Sequence, residues 1–426
     1  MELNDVRGTF LKQVTDQIKA KEAKKAVSVE LNHHIKEVKN TWIKKGLPEL
    51  DAEKKAVEQM GSPIKLGQQL NKLHQPRVDW MMVSLLITVL CVGFLPLVPL
   101  GYVDEKHFLL SKMIFVVLGG VTALGLMLID YRKLMKHGWL FYYIGMIILF
   151  GICFFPNSMV GGILAIRVSP LTIESMLAVP IFWLAWASFF HCNKLKIWQF
   201  AALFSMSFIL FFEAGSITTT AIYSSMVYVM LCWSIGSRKN VLKITFISIC
   251  IAIIAGFIFW FSLNTDQLER LLGFLNPEDH SSTAGYTYLH IKELISIAGW
   301  FGNTGNNEFI PGAHTDLVFV SLTYYFGWLF AFGLIIMLSF IFARMFFIIK
   351  KVHDHFGNLL IIGGMTLFVV QVSYNIGMTL GLFPIIAVSL PFISYGFMPV
   401  MLNSIIIGVI LSVYRRKDFS SVNSLI

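Results

Sequence analysis

Ten long apolar runs, at about residues 80–99, 108–128, 138–156, 172–190, 197–213, 218–235, 241–263, 315–345, 357–380 and 398–414, decide what this chain can become. Each is near the ~20 residues that a helix needs to cross a bilayer. The eighth is long enough to extend beyond the bilayer or to tilt. Composition agrees: 56% of the residues are hydrophobic and 14% charged, where a soluble globular chain carries about 25% charged residues. The expected fold class is all-α, a polytopic membrane protein of ten transmembrane helices over residues 79–426.

The formal net charge of +9 would suit nucleic acid in another setting. Here the positions of the charges argue against such a partner. Arg132, Lys133 and Lys136 follow the second run, Lys194 and Lys196 the fourth, and Arg238 and Lys239 the sixth. Lys350 and Lys351 follow the eighth, and Arg415, Arg416 and Lys417 the tenth. By the positive-inside rule both termini are cytoplasmic, and the loop of residues 264–314 lies outside. Cys91, Cys153, Cys192, Cys232 and Cys250 form no CxxC pair and read as small buried apolar residues, not as metal ligands or disulfides. No signal peptide is evident at the N-terminus, so the first run is expected to direct insertion.

Residues 1–78 read as a separate helical bundle on the cytoplasmic side. Glu and Lys are interspersed, and Val27, Leu31, Ile35 and Val38 recur at helical spacing. Gly46-Leu47-Pro48 and Gly61-Ser62-Pro63 break the helices, with Ser62 placed to cap and Pro63 in the first turn of the last one. The stretch from Leu31 to Gly67 resembles the short HAAS-like prefix domains of some bacterial membrane proteins. His33 and His34 are adjacent, point to different faces and make a poor metal pair.

Fifty residues of outer loop are uncommon in a compact protein unless they have a function. This loop ends at Asp316, where polar sequence gives way to the eighth apolar run. A carboxylate at the rim of a membrane needs a partner or a role. The alternative is that Thr315 and Asp316 only cap the following helix. Arg270 and Lys292 could hold a diphosphate, or pair with Glu269 and Glu293 on solvated faces. Gly299, Gly302 and Gly305 permit a tight backbone path but do not form a nucleotide fingerprint. His314 stands two residues from Asp316, placed to shape a site or to serve structure alone.

A second segment holds polar residues in apolar surroundings. Gln371 and Asn375 share one helix face, as interhelix contacts or as the wall of a wet cavity. Pro391 to Gly396, with Ser394 and Tyr395, is irregular backbone that must be buried in protein or face a cavity.

Three stretches together carry a family resemblance. They are Phe274-Leu275-Asn276-Pro277 with Gly285-Tyr286; Gly299-Trp300-Phe301-Gly302 with His314-Thr315-Asp316-Leu317-Val318-Phe319; and Asn375-Ile376-Gly377-Met378 with Gly381-Leu382-Phe383-Pro384 and Leu390-Pro391-Phe392-Ile393-Ser394-Tyr395-Gly396. Over residues 77–417 the chain resembles the SEDS family of shape, elongation, division and sporulation proteins (RodA, FtsW and SpoVE). The resemblance implies a peptidoglycan glycosyltransferase of the bacterial cytoplasmic membrane. Such enzymes polymerise lipid II, the undecaprenyl-diphosphate disaccharide-pentapeptide, on the outer face, beside a class B penicillin-binding protein and among membrane lipids. The family's essential aspartate maps onto Asp316, as catalytic residue.

The chemistry suits that assignment. The acceptor hydroxyl must lose a proton as it attacks the donor's anomeric carbon, and one carboxylate can take it. The diphosphate leaving group needs cations, from Arg, Lys or a divalent ion such as Mg or Mn, more than a general acid. Arg270, Lys292, His314, Gln371, Asn375, Ser394 and Tyr395 are the expected substrate-binding residues. The chain also departs from the family. Tyr324-Tyr325-Phe326-Gly327 stands where a Glu-Glu-Leu-Gly run is common, and Phe397-Met398 follow Gly396 in place of Gly-Gly-Ser. Glu174 survives from a QPSE stretch whose following Lys is Leu177, and Ala214 to Thr219 replace a QPDLGT stretch. Two other readings remain at this point: a non-catalytic scaffold for a penicillin-binding protein, and a polyprenyl-lipid transporter. A transporter should show paired repeats with polar groups at mid-membrane, and no convincing repeat is seen.

Overall fold

The computed structural model describes residues 3–19, 21–73, 77–97, 105–160, 163–168, 171–192, 196–235, 239, 241–243, 245, 265–283, 285–303 and 308–417. The chain forms two units: Met1–Asp79 with Lys350–Asp354 and Val413–Ile426, and Trp80–Ile349 with His355–Ser412.

In the first unit, α1 (Leu3–Asp16), α2 (Lys21–Lys44), α3 (Glu49–Gln59) and α4 (Pro63–Leu73) enclose a core of Phe10, Val14, Ile18, Val27, Leu31, Ile35 and Ala56. The spacing from Val27 to Val38 therefore marks the buried stripe of α2. Pro63 opens α4, where its missing N–H costs nothing. Lys39 bridges Glu49 and Glu53 at 2.8 and 2.9 Å.

The second unit is helical and apolar on its outside, as a bilayer demands. It contains α5 (Trp80–Val92), α6 (Glu105–Leu128), α7 (Gly138–Phe154), α8 (Ala178–Cys192), α9 (Ile197–Glu213) and α10 (Ile217–Ile235). It continues with α11 (Thr265–Leu275), α12 (Gly285–Ile297), α13 (Val318–Ile349), α14 (His355–Thr379) and α15 (Phe397–Arg415), whose last residues fall in the first unit. Among the described residues seven helical segments are long and apolar enough to cross a membrane, and Ile197–Glu213 is a shorter apolar helix. Most of the apolar run at 241–263 lies outside the described residues. The centre of the unit is α8, whose Phe182, Trp183 and Trp186 are fully buried. Gly145 of α7 and Gly363 of α14 leave room for the rings of Phe182 and Trp183, and Trp183 Nε1 donates to Leu360 O at 3.1 Å.

Three features differ from the apolar pattern. Residues 172–174 do not begin a helix. Ser158–Val160 (β1), Ile163–Val168 (β2) and Leu171–Glu174 (β3) form a small antiparallel sheet, and the helical span starts at Ser175. An apolar run with Thr172 and Ile173 at its head suits a strand as well as a helix, and periodicity alone does not separate them. The loop at 264–314 is not structureless, because it carries α11 and α12.

The long eighth run is a broken helix. Gly327 takes φ 83° and ψ 171° inside α13. The backbone of 299–303 inserts at the break: Asn303 N donates to Tyr324 O at 2.8 Å, Trp328 N to Gly299 O at 3.0 Å and Leu329 N to Trp300 O at 3.2 Å. The freed backbone groups of α13 are thus satisfied within the protein. A side chain on Gly302 would strike the carbonyl of Tyr325, and one on Gly327 the carbonyl of Trp300. This close approach explains the glycine spacing that opens the second family stretch.

Candidate active site

Asp316 sits in the turn just before α13. Three consecutive carbonyls of that turn are tied to the later polar segment. Tyr395 N donates to His314 O at 2.6 Å, Ser394 Oγ to Thr315 O at 2.6 Å, and Asn375 Nδ2 to Asp316 O at 2.8 Å. Asn375 Nδ2 also donates to Val388 O at 2.6 Å. Three of the sequence-predicted residues, Asn375, Ser394 and Tyr395, therefore meet at the backbone of 314–316, to which a fourth, His314, belongs. They grip the main chain and leave the carboxylate alone.

The capping alternative is not what the geometry shows. The Thr315 hydroxyl turns back to Gly312 O at 3.3 Å. Among the described residues no group donates a hydrogen bond to the Asp316 carboxylate, and no cation pairs with it. Burial of this half-buried group pushes its pKa up to about 6 from the ordinary 3.8. Glu174, at the end of β3, is also raised, first by burial and then by the charge of Asp316. The surviving glutamate thus stands within electrostatic reach of the aspartate. The ring of His314 packs against Phe108 and Tyr395, with centroids 5.3 and 5.6 Å away, and its pKa is lowered by burial.

The remaining predicted residues lie elsewhere. Gln371 is one turn from Asn375 and fully buried. Its amide donates to Leu367 O at 2.8 Å and accepts from Asn403 Nδ2 at 3.2 Å, which is an interhelix contact between α14 and α15. Lys292 lines a cavity of about 360 Å³ with Phe274, Tyr288, Met378 and Gly381. The cavity lies between α11, α12 and the end of α14. Arg270 falls in α11, and its side chain lies outside the described residues.

Sequence reasoning missed Lys112. It lies in α6, wholly buried, and its ammonium donates to the carbonyls of Phe392, Ile393 and Ser394 at 3.0, 3.2 and 2.8 Å. The signal was present: a lone lysine inside an apolar run is a functional hypothesis by default.

Residues 77–418 match the model of the cell cycle protein family of FtsW, RodA and SpoVE. The chain belongs to this family. The family's peptidoglycan glycosyltransferase MrdB from Escherichia coli (strain K12) is 30% identical over 187 residues, 41% of this chain and 50% of that one. The stage V sporulation protein E of Bacillus subtilis (strain 168) is 26% identical over 158 residues, 36% of this chain and 43% of that one. The chain thus spans about half or less of the length of these curated relatives. Among solved structures, one described as structural coordination of polymerization and crosslinking by a peptidoglycan synthase complex superimposes with a TM-score of 0.69 at 22% identity, covering 80% of this chain and 98% of that one. The Thermus thermophilus rod shape determining protein RodA gives 0.59 at 19%, covering 80% and 97%. At these identities the likeness is one of fold, and it supports a multi-pass membrane protein of this family.

Proposed function

We propose that this protein is a peptidoglycan glycosyltransferase that polymerises lipid II at the outer face of the bacterial cytoplasmic membrane, with Asp316 as general base. The observation that carries the reading is the Asp316 carboxylate itself. Its backbone is held at three successive carbonyls while its side chain takes no structural partner among the described residues. A group with a pKa near 6 is ionised at neutral pH and still basic enough to accept a proton from a sugar hydroxyl. Relatives named as peptidoglycan glycosyltransferases support the substrate class. Both termini and the unit of residues 1–79 lie on the cytoplasmic side in this reading, which the placement of Lys and Arg supports.

The donor's diphosphate requires positive charge as it leaves. Lys292, beside an apolar cavity, and Arg270 are the candidates from this chain. A divalent cation is compatible with the residues present. Asp316 and Glu174 supply two carboxylates, and no cluster of three or more ligating side chains occurs among the described residues. Magnesium is commonly held by one or two carboxylates plus substrate phosphates, so such an ion would arrive with the diphosphate. Bound there, it would neutralise charge on the leaving group.

A class B penicillin-binding protein is the proposed partner, because the glycan product needs crosslinking. The scaffold reading retains one specific observation. Tyr324 and Tyr325 occupy an apolar cluster where the family commonly carries two glutamates. The test separates the two readings. The full chain is reconstituted with lipid II and its penicillin-binding partner, as wild type and as Asp316→Asn. We expect glycan chains from the wild type only, a loss of at least about 10³-fold in the variant, and unchanged partner binding. Equal activity of the variant would remove Asp316 from the mechanism, and an inactive wild type would favour the scaffold.

A further inference from the structure

We propose that Lys112 is a positioning residue for the reaction: it locks the turn of residues 392–395, and through that turn fixes where the carboxylate of Asp316 stands. This inference rests on the reading of Asp316 as base.

Two unfavourable features meet at this turn. The first is the lysine, an ammonium with no exposed surface inside an apolar helix. Such burial is costly unless every donor is satisfied. A lysine has three donors, and here three consecutive carbonyls receive them. The second is Phe392, the one non-glycine residue with positive φ among those described, at 64°. L side chains avoid this region, and strained residues persist only where their surroundings over-determine them. The left-handed turn at Phe392 is what lets its own carbonyl and the next two face one point. The lysine and the strain therefore account for each other.

Neither is needed to build a membrane span. A methionine would fill the space of Lys112, and a glycine would take the φ of Phe392 without strain. What the pair secures is the opposite face of the turn. Ser394 Oγ and Tyr395 N leave it to bond Thr315 O and His314 O, directly before Asp316. Phe108 and Phe115, four residues before and three after Lys112 on the same helix face, pack on the Tyr395 ring at 5.0 and 5.8 Å. Since no described side chain supports the Asp316 carboxylate, its position is set by its backbone alone. Its backbone is set by this clasp. Misplacement of a reacting group by about 1 Å can cost on the order of 10²-fold in rate.

The experiment uses the full chain in vesicles with lipid II and its penicillin-binding partner. Lys112→Met, Lys112→Arg, Ser394→Ala and the Lys112→Met/Ser394→Ala double variant are compared with Asp316→Asn. Lys112→Met should lower kcat by about 10²-fold, leave the KM for lipid II within about twofold, and move the acid limb of the pH–rate profile. Lys112→Arg should recover part of the rate. Ser394→Ala should lose less, and the double variant should be little worse than Lys112→Met, because both act through one turn. A folded Lys112→Met with the kcat and pH profile of the wild type, beside an inactive Asp316→Asn, overturns the inference and leaves the base intact. A rise in KM at constant kcat overturns it in favour of substrate binding. An active Asp316→Asn overturns both. If Lys112→Met fails to fold, unchanged kcat and pH profile in both Lys112→Arg and Ser394→Ala also refute it.

Discussion

Lys39 and Lys112 carry the same side chain in opposite settings. Lys39, in the unit of residues 1–79, faces two carboxylates, and the exposed Glu49 shares its charge with water. Lys112, in the membrane unit, faces three backbone carbonyls and no water. The two units are inverted throughout. One hides Phe10, Val14 and Val27 and shows most of its charges, with Glu53 among the exceptions; the other shows Val117 and Ile147 and hides Gln371, Asn375 and Asn403. In water a charge can exchange partners, so its pairing orders little. In an apolar interior the partner must be arranged beforehand, so the charge dictates the path of the chain. The irregular parts of the membrane unit, at Gly327 and Phe392, are both held by backbone hydrogen bonds or by Lys112.

The largest test of this contrast is Gly327→Ala. The added Cβ would need a positive φ and would strike backbone atoms of Trp300 and Gly302, which have no flexible end to move aside. A loss on the order of 4 kcal/mol or more is expected, seen as a collapse of the folded fraction in detergent by size-exclusion chromatography. The same change at Gly46, also at positive φ but in open space in the other unit, should cost about 1–2 kcal/mol. If both variants melt alike, the locked character of the membrane unit is refuted.

The sequence carried much of this, unevenly. Apolar run length located the seven membrane-length helices among the described residues, because a bilayer demands about the same length of each span. It misplaced the start of the fourth, since Leu171–Glu174 pairs as a strand with residues that the run pattern does not connect to it. It could not show the break at Gly327, which depends on the distant 299–303 segment filling the gap. Asp316 stood out because polarity changes sign beside it. Asn375, Ser394 and Tyr395 were legible as a group, but their target was not: they bind the backbone of 314–316, and main-chain acceptors leave no trace in side-chain identity. Lys112 itself was legible as a lone lysine in an apolar run, but its partners were not, as they are carbonyls that any residue supplies.

Asp316 is a largely buried charge that lacks the support given to Lys112. With a pKa of about 6, its base form is lost below that pH. The polymerisation rate should therefore fall roughly tenfold per pH unit on the acid side of 6. Glu174→Gln should move that limb little, because burial is what raises Asp316, while the charge of Asp316 is the secondary cause of the raised Glu174. Stability should run the other way. The folded value lies above the ordinary 3.8, so the contribution is fully present below that pH and lost as pH rises through 6. Asp316→Asn should melt a few degrees higher than the wild type at pH 7.5, with the gap closing near pH 4, as a stability cost of function predicts. Equal melting at both values would mean that the carboxylate is compensated after all.

The smallest effect belongs to Lys39. Its carboxylate neighbours raise its pKa above 10.5, chiefly through the hydrogen bond with Glu49, and Lys39 in turn lowers Glu49 below 4.5. The depressed Glu49 contributes stability above its unfolded value that is lost as pH falls through its folded one. The raised Lys39 contributes stability below 10.5 that is lost as pH rises through its folded value. Between about pH 5 and 10 the cluster's contribution is flat. Lys39→Met should lower the melting of residues 1–79 by a few degrees at low salt, and by less at 1 M salt, where the Debye length is about 3 Å. Glycan synthesis should stay within about twofold of the wild type, since this charge orders no irregular backbone. A rate loss as large as that of Lys112→Met would erase the distinction between the two lysines, because it would mean that a partly exposed ion-pair cluster outside the membrane unit sets the geometry of that unit.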